Sequence, residues 1–180
     1  MKHCTDCGEG VELRTPEGEH APRHVCTVCG KVHYVNPLIV VGCVPEVGDR
    51  ILLCRRAIEP RSGYWTIPAG FMEIGETLAQ GAARETMEEA GARVEIQDLF
   101  AVVDVVHARQ VHMMFRAALL EGGFAAGPES LEVQLFEAGE IPWDEIAFQS
   151  VRFALEKFLE DRAVGLRRLH TVSLDRPHPA

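Results

Sequence analysis

The sequence predicts an α+β fold, an α/β/α sandwich around a mixed sheet, with a small module ahead of it that lacks a hydrophobic core of its own. Three observations carry this. Apolar, β-branched runs bounded by turn residues supply several strands, two segments place apolar residues at helical spacing, and the two kinds do not alternate as a regular parallel sheet requires. At 180 residues and 47% hydrophobic content, the chain holds one ordinary domain and an appendage. We divide it into residues 1–35, residues 36–165 and a C-terminal tail, 166–180.

The first segment is rich in Cys, Gly and His and poor in large aliphatics, so something other than apolar burial must staple it. From Leu38 the texture changes: LIVVGCVPEV and ILLCR read as strands joined at Gly48-Asp49, a hairpin turn signal. A polar connection through Pro60 and Gly63 leads to YWTIPAG. A helix is expected over residues 77–90, opened by Thr77 or Glu76 and ended by Gly91, the residue type that best tolerates the left-handed conformation past a helix end. VEIQDLFAVVDVVHA and VHMMFRAALLE read as paired strands, GGFAAGPES as a loop and LEVQLFEA as a further strand. Phe148, Val151, Ala154, Leu155, Phe158 and Leu159 recur at helical spacing, which makes residues 147–161 an amphipathic closing helix. The tail, ending RPHPA, is expected to be loose.

The formal net charge of −9 argues against broad electrostatic capture of nucleic acid, which needs Lys and Arg clustered on one face. A phosphate-bearing substrate would instead need a bound divalent cation to attract it. No apolar run approaches the roughly 20 residues that cross a bilayer, and the opening MKHCTDCGEG lacks the apolar region of a secretory signal. A cytoplasmic protein without membrane contact is expected.

The six cysteines divide into two groups. Cys4, Cys7, Cys26 and Cys29 form CTDC and CTVC, each followed by a glycine, Gly8 or Gly30, that suits a knuckle turn. Four thiolates at this spacing close tetrahedrally on Zn²⁺ and make the first 35 residues a zinc ribbon. A disulfide pair fits poorly with a chain that shows no export signal. With four Cys ligands the metal has no open position, so its role is structural, and His3, His24 and His33 are left as surface residues. Cys43 and Cys54 sit singly in apolar strands and read as small core hydrophobes.

The stretch GFMEIGETLAQGAARETMEEAGA, residues 70–92, carries the chemistry. On a helix, Glu85, Glu88 and Glu89 share one face, while Ala79, Ala83, Thr86, Met87 and Ala90 are expected to pack inward. Like charges at this spacing cost a few tenths of a kcal/mol per pair, and Arg84 is the one nearby counter-charge. A divalent cation relieves the rest, and carboxylate oxygens select Mg²⁺ or Mn²⁺. A solvated acidic face is the bland alternative.

The neighbouring residues decide against it. Gly70, Glu76, Arg84, Glu85, Glu88, Glu89 and Gly91 all stand where Gx₅Ex₇REUxEExGU requires them, so the chain resembles the Nudix hydrolase family. The resemblance implies the Nudix sandwich, in which Glu85, Glu88 and Glu89 bind the metals and Gly70 offers them a carbonyl. It further implies that Arg84 orients the carboxylates through a salt bridge and that Glu76 supports the loop. Thr86 stands where the pattern prefers an aliphatic residue, a departure without consequence on a core-facing position. The implied reaction is metal-assisted attack of water on a pyrophosphate bond.

A zinc ribbon ahead of a Nudix domain resembles two groups. The NADH pyrophosphatases carry an SQPWPFPxS-like segment after the box, where this chain reads LFAVVDVVHARQVH. The plant chloroplast FAD and ADP-ribose pyrophosphatase and its bacterial relatives are similar through NPLIVVGCVPE, GYWTIPAGFMEIGET and GPESLEVQLFEAGEIPWDEIAFQS. FAD or ADP-ribose is therefore the leading substrate, giving AMP with FMN or ribose 5-phosphate. NADH and oxidised nucleoside triphosphates are the enzymatic alternatives, and a homodimer would be ordinary for this resemblance.

Trp65 or Phe71 would stack on a base or else belong to the core, and Arg55 and Arg56, at a strand end, would meet phosphate or else be simply exposed. By the same resemblance, the late loop and strand hold an extra carboxylate for metal or base duty, Glu132 in preference to Glu129; His107 and His112 would either reach the site or be ordinary surface groups, the commoner role of a lone strand histidine. A ribbon that docks nucleic acid or protein is the competing class. The acids between Cys7 and Cys26 (Glu9, Glu12, Glu17 and Glu19) do not make a basic platform.

Overall fold

The computed structural model describes residues 1–175, so the expectation for RPHPA lies outside the described residues. Two compact units form, Met1–Pro37 and Leu38 onward. In the first, β1 (Val11–Arg14), β2 (Arg23–Cys26) and β3 (Val32–His33) make an antiparallel sheet in that order. Cys4, Val25 and Cys26 are buried. So is His33, contrary to the expectation of a surface residue: it sits in β3, paired with His24 of β2, and is covered within this small unit.

The second unit begins with β4 (Leu38–Val47) and β5 (Arg50–Arg56), which turn at Gly48-Asp49 as expected and pair beside the turn, Glu46 with Ile51 and Val47 with Arg50. Two short strands follow, β6 (Trp65–Thr66) on β5 and β7 (Ala69–Phe71) on β4. Helix α1 spans Leu78–Ala90. Then come β8 (Val94–Val105), β9 (Gln110–Leu119), β10 (Ser130–Glu137), helix α2 (Gln149–Val164) and β11 (His170–Leu174). The sheet order is β10-β5-β4-β9-β8-β11. It is mixed, because β4–β9 and β8–β11 are parallel and the other pairs antiparallel.

Strand alternation splits the apolar side chains between two layers. Val44, Ile51, Leu53, Phe100 and Met114 pack with Leu155 and Phe158 of α2. Val41 and Cys43 pack with Ala82 of α1, and Leu52 and Cys54 with Ala90. This is the expected sandwich, and Cys43 and Cys54 are core residues within it.

Helix α1 starts at a capping box, in which Thr77 accepts from the Gln80 backbone N–H and Gln80 accepts in return. It ends at Gly91, whose φ of 56° is the left-handed value that glycine tolerates. Its inward stripe is Ala82, Thr86 and Ala90, at i, i+4 and i+8. Ala79 and Ala83 are only half-buried and Met87 is 45% exposed, so the helix is rotated from the expected orientation. The rotation carries Glu85 and Glu89 under cover of the sheet. Thr86 satisfies its hydroxyl by donating to the Ala82 carbonyl at 2.8 Å.

The expected tail is also corrected. Residues 170–174 add a parallel strand to β8, from His170 beside Ala101 to Leu174 beside Val105. The anchor is Asp161, fully buried at the end of α2. Its carboxylate accepts from Arg116 Nη2 at 2.6 Å, Arg168 Nε at 2.7 Å and the Arg168 backbone N–H at 3.1 Å, with His170 Nε2 at 3.0 Å. Arg116 in turn lies between the rings of Phe100 and Phe158.

Candidate functional site

The four cysteine sulfurs of the first unit lie within 4.8 Å of one another. Cys4 and Cys29 are 3.7 Å apart, Cys7 and Cys26 3.5 Å, and Cys7 and Cys29 3.6 Å. Four sulfurs at Zn–S distances of ~2.3 Å would sit roughly 3.8 Å apart, so the set fits tetrahedral zinc. Backbone N–H groups of Asp6 and Cys29 reach the sulfurs of Cys4 and Cys26, each at 3.4 Å. Such bonds favour thiolate, and the N–H groups of Cys29 and Val28 bring the Cys26 pKa down to about 6.

The second site is built on α1 and the segment before it. Arg84 uses all five of its guanidinium hydrogens. Nε and Nη2 donate to Glu76 at 3.0 and 2.9 Å, Nη2 also to the Phe71 carbonyl at 3.0 Å, and Nη1 to Glu85 and Glu88 at 2.8 and 3.0 Å. One side chain thus ties the loop at Phe71 and Glu76 to two carboxylates of the helix. Glu76 also accepts from the Glu73 backbone N–H at 2.7 Å. With Arg84 as the main cause, its pKa is held at about 2.

The two inner glutamates behave differently. Burial is the chief cause that pushes the Glu89 pKa up to about 8; the Ala69 N–H, donating at 3.0 Å, opposes it, and the charges of Glu85 and Glu129 add to it. Burial likewise raises Glu85, against the pull of Arg84. Gly70 lies directly against the Glu85 carboxylate, where any Cβ would collide with it. Among the described residues the cysteines alone gather their ligand atoms within 4.8 Å. The glutamates are spread along one cavity wall, with Arg84 between Glu85 and Glu88. Their hard oxygen donors, crowded and partly desolvated, suit a divalent cation such as Mg²⁺ or Mn²⁺.

The cavity encloses about 900 Å³. It brings together Gly70, Phe71, Arg84, Glu85, Glu88 and Glu89 with Arg56 and Glu129. Glu76 stands behind it, joined through Arg84. Three expected contributors lie elsewhere. Trp65 is buried in the core, edge-on to Phe136 at 4.9 Å. Arg55 and Glu132 face each other across β5 and β10, with Nη1 3.7 Å from the carboxylate. Glu129, in the loop before β10, takes the cavity position assigned to Glu132. Sequence reading missed Phe148, which lies 5.0 Å under the Arg56 guanidinium, and Leu174 of β11. Of its two readings of His107 and His112 it preferred the surface one, whereas both line the wall. Phe148 was hidden by its helical spacing with true core residues, and Leu174 by a strand of only five residues.

Residues 36–161 match the family described as NUDIX domain, and residues 2–35 the one described as Nudix N-terminal. A NUDIX hydrolase of Nitrosomonas europaea, known by crystal structure, is 52% identical with a TM-score of 0.94, over 98% of this chain and 100% of its own. An ADP-ribose pyrophosphatase of Methanocaldococcus jannaschii is 27% identical over 132 residues, 71% of this chain and 74% of the relative. A NAD-capped RNA hydrolase, NudC, of Salmonella paratyphi C is 31% identical over 144 residues, which are 78% of this chain and 53% of the relative. This chain therefore spans about half the length of that relative. No described helix is long and apolar enough to cross a membrane.

Proposed function

The chain belongs to the NUDIX family, and from that premise we propose that it hydrolyses ADP-ribose or FAD between the two phosphates, giving AMP with ribose 5-phosphate or FMN. The observation that carries this reading is the five-donor grip of Arg84 on Glu76, Glu85, Glu88 and the Phe71 carbonyl, at the wall of a cavity large enough for a nucleotide. The name of the M. jannaschii relative, matched over 74% of its length, supports ADP-ribose. A NAD-type substrate is the second reading, favoured by the name of the Salmonella relative and opposed by the absence of an SQPWPFPxS-like segment in this sequence.

Glu85, Glu88 and Glu89, with the Gly70 carbonyl, would hold Mg²⁺ or Mn²⁺. Such a cation, when bound, neutralises phosphate charge and makes a water more acidic. The protein's own part is positional. Arg84 fixes the spread of Glu85 and Glu88, and the Ala69 N–H fixes Glu89. Arg56, held by the Pro60 carbonyl at 2.9 Å and by Phe148, presents a cation to the distal phosphate. Water adds to one phosphorus, the bridging oxygen leaves with the other, and one proton is released.

The test is product analysis with Mg²⁺ or Mn²⁺ and a panel of ADP-ribose, FAD, NADH, NAD and oxidised dGTP. AMP with ribose 5-phosphate or FMN at the highest kcat/KM supports the proposal. Preferential cleavage of NADH selects the second reading, and no cleavage of any compound overturns both.

A further inference from the structure

The cavity continues well past the carboxylates, and its floor is one face of the sheet. Strand register fixes which side chains form that floor. Leu174 of β11 pairs with Val105 of β8, which pairs with Gln110 of β9, and all three line the cavity. Two residues along, His112 of β9 pairs with Val40 of β4, which pairs with Phe71 of β7, and these line it too. Positions two apart on a strand face the same way, so the two rows are one continuous surface. At ~4.8 Å per strand, β11 lies roughly 14 Å beyond β4, a reach longer than a diphosphate needs.

The far end differs in chemistry from the near end. Leu174 and Val105 are apolar, and strands β8, β9 and β11 contribute no acid to the cavity lining. His112 Nε2 is 2.9 Å from Gln110 Oε1, while Nδ1 is buried without a partner. Burial lowers the His112 pKa to about 4, so the ring is neutral at pH 7; its Nε2–H donates to the Gln110 carbonyl oxygen and so orients the Gln110 amide, whose N–H groups are left to donate. β11 is also fixed at both ends. Arg168 and His170 tie its start to Asp161. Near its close Ser173 donates to Asp104 at 2.9 Å, and His107 Nδ1 lies 3.3 Å from the Leu174 carbonyl.

Resting on the reading of this chain as a nucleoside-diphosphate hydrolase, we propose that β11 completes a subsite for the substrate's flat heteroaromatic base, with Leu174 and Val105 against the ring face and the Gln110 amide, oriented by His112, at its hydrogen-bonding edge. The final strand is then a specificity element of the enzyme. A ring on this floor leaves the diphosphate to extend back along Val40 and Phe71 to the glutamates.

The test is methyl NMR on the full chain, titrated with AMP and separately with ribose 5-phosphate. Shifts of the Leu174 and Val105 methyls with AMP, absent with ribose 5-phosphate, are expected. AMP shifts confined to the carboxylate end, or none at all, overturn the subsite. AMP binding needs no turnover, so a shifted Leu174 in a protein that cleaves nothing would retain the subsite and reject the hydrolase reading. In kinetics, Leu174→Ala should raise KM for ADP-ribose about tenfold, by loss of apolar contact, with kcat within about twofold. Leu169→Ala, on an exposed residue outside the cavity, should change neither. An unchanged KM in Leu174→Ala, or a loss in kcat alone, contradicts the proposal.

Discussion

Arg84 and Glu76 are joined by two parallel hydrogen bonds, Nε to Oε2 at 3.0 Å and Nη2 to Oε1 at 2.9 Å. The fork uses the planar guanidinium in a way that an ammonium cannot copy. Because the same guanidinium also holds Glu85, Glu88 and the Phe71 carbonyl, its replacement loosens the whole wall. Arg84→Lys and Glu76→Gln should each lower kcat/KM about 10–100-fold with the fold retained, as loss of supporting contacts does at other metal sites. Steady-state kinetics beside circular dichroism checks this; activity within twofold of wild type would contradict the role.

Glu88→Gln and Glu89→Gln keep side-chain volume and remove charge. Each should lower turnover by about two orders of magnitude or more. Glu88 is exposed, so the first should leave Tm unchanged. Wild-type rates in both variants would remove the carboxylates from the chemistry.

Asp161 sets an acid limit on stability. Burial opposes its ionisation, but hydrogen bonds from His170 and Arg168 hold its pKa below the ordinary carboxylate range. A depressed folded pKa gives stability that is present above the unfolded value near ~3.9 and is lost as pH falls through the folded value. Wild-type Tm should therefore drop steeply below about pH 4, and Asp161→Asn should be destabilised at neutral pH with a flatter acid limb. Stranding Arg116, itself buried, should cost roughly 3 kcal/mol, or about 10 °C in Tm for a chain of this size. Coincident pH–Tm curves for the two proteins would contradict this.

The zinc ribbon should unfold with loss of its metal. Cys26→Ala removes the thiolate whose pKa the backbone N–H groups lower, and bound zinc should fall from one equivalent to near none. Amide signals of residues 1–37 should collapse to the unfolded range. Full zinc content measured by atomic emission would contradict the assignment.

What was legible in the sequence followed local rules. The hairpin at Gly48-Asp49, the cap at Thr77, the stop at Gly91 and the paired cysteines each depend on a few adjacent residues or a fixed spacing. What stayed hidden depends on distant contacts. The side of α1 that faces the sheet is chosen by packing against Val41 and Cys43, so Met87 comes out exposed and Glu89 goes in. Strand β11 exists because Asp161, Arg116 and His170 meet in space, and nothing within HTVSL announces it. Glu129 and Glu132 differ by three positions on a loop leading into a strand, and register alone sends one to the cavity and the other to Arg55.

The most direct test compares wild type and Glu88→Gln on ADP-ribose, with and without added Mg²⁺. The account predicts equal amounts of AMP and ribose 5-phosphate from wild type with Mg²⁺, and at least a hundredfold less from the variant or from wild type without the cation. Equal product from the variant, or rates indifferent to divalent cation, would contradict a carboxylate-centred pyrophosphatase.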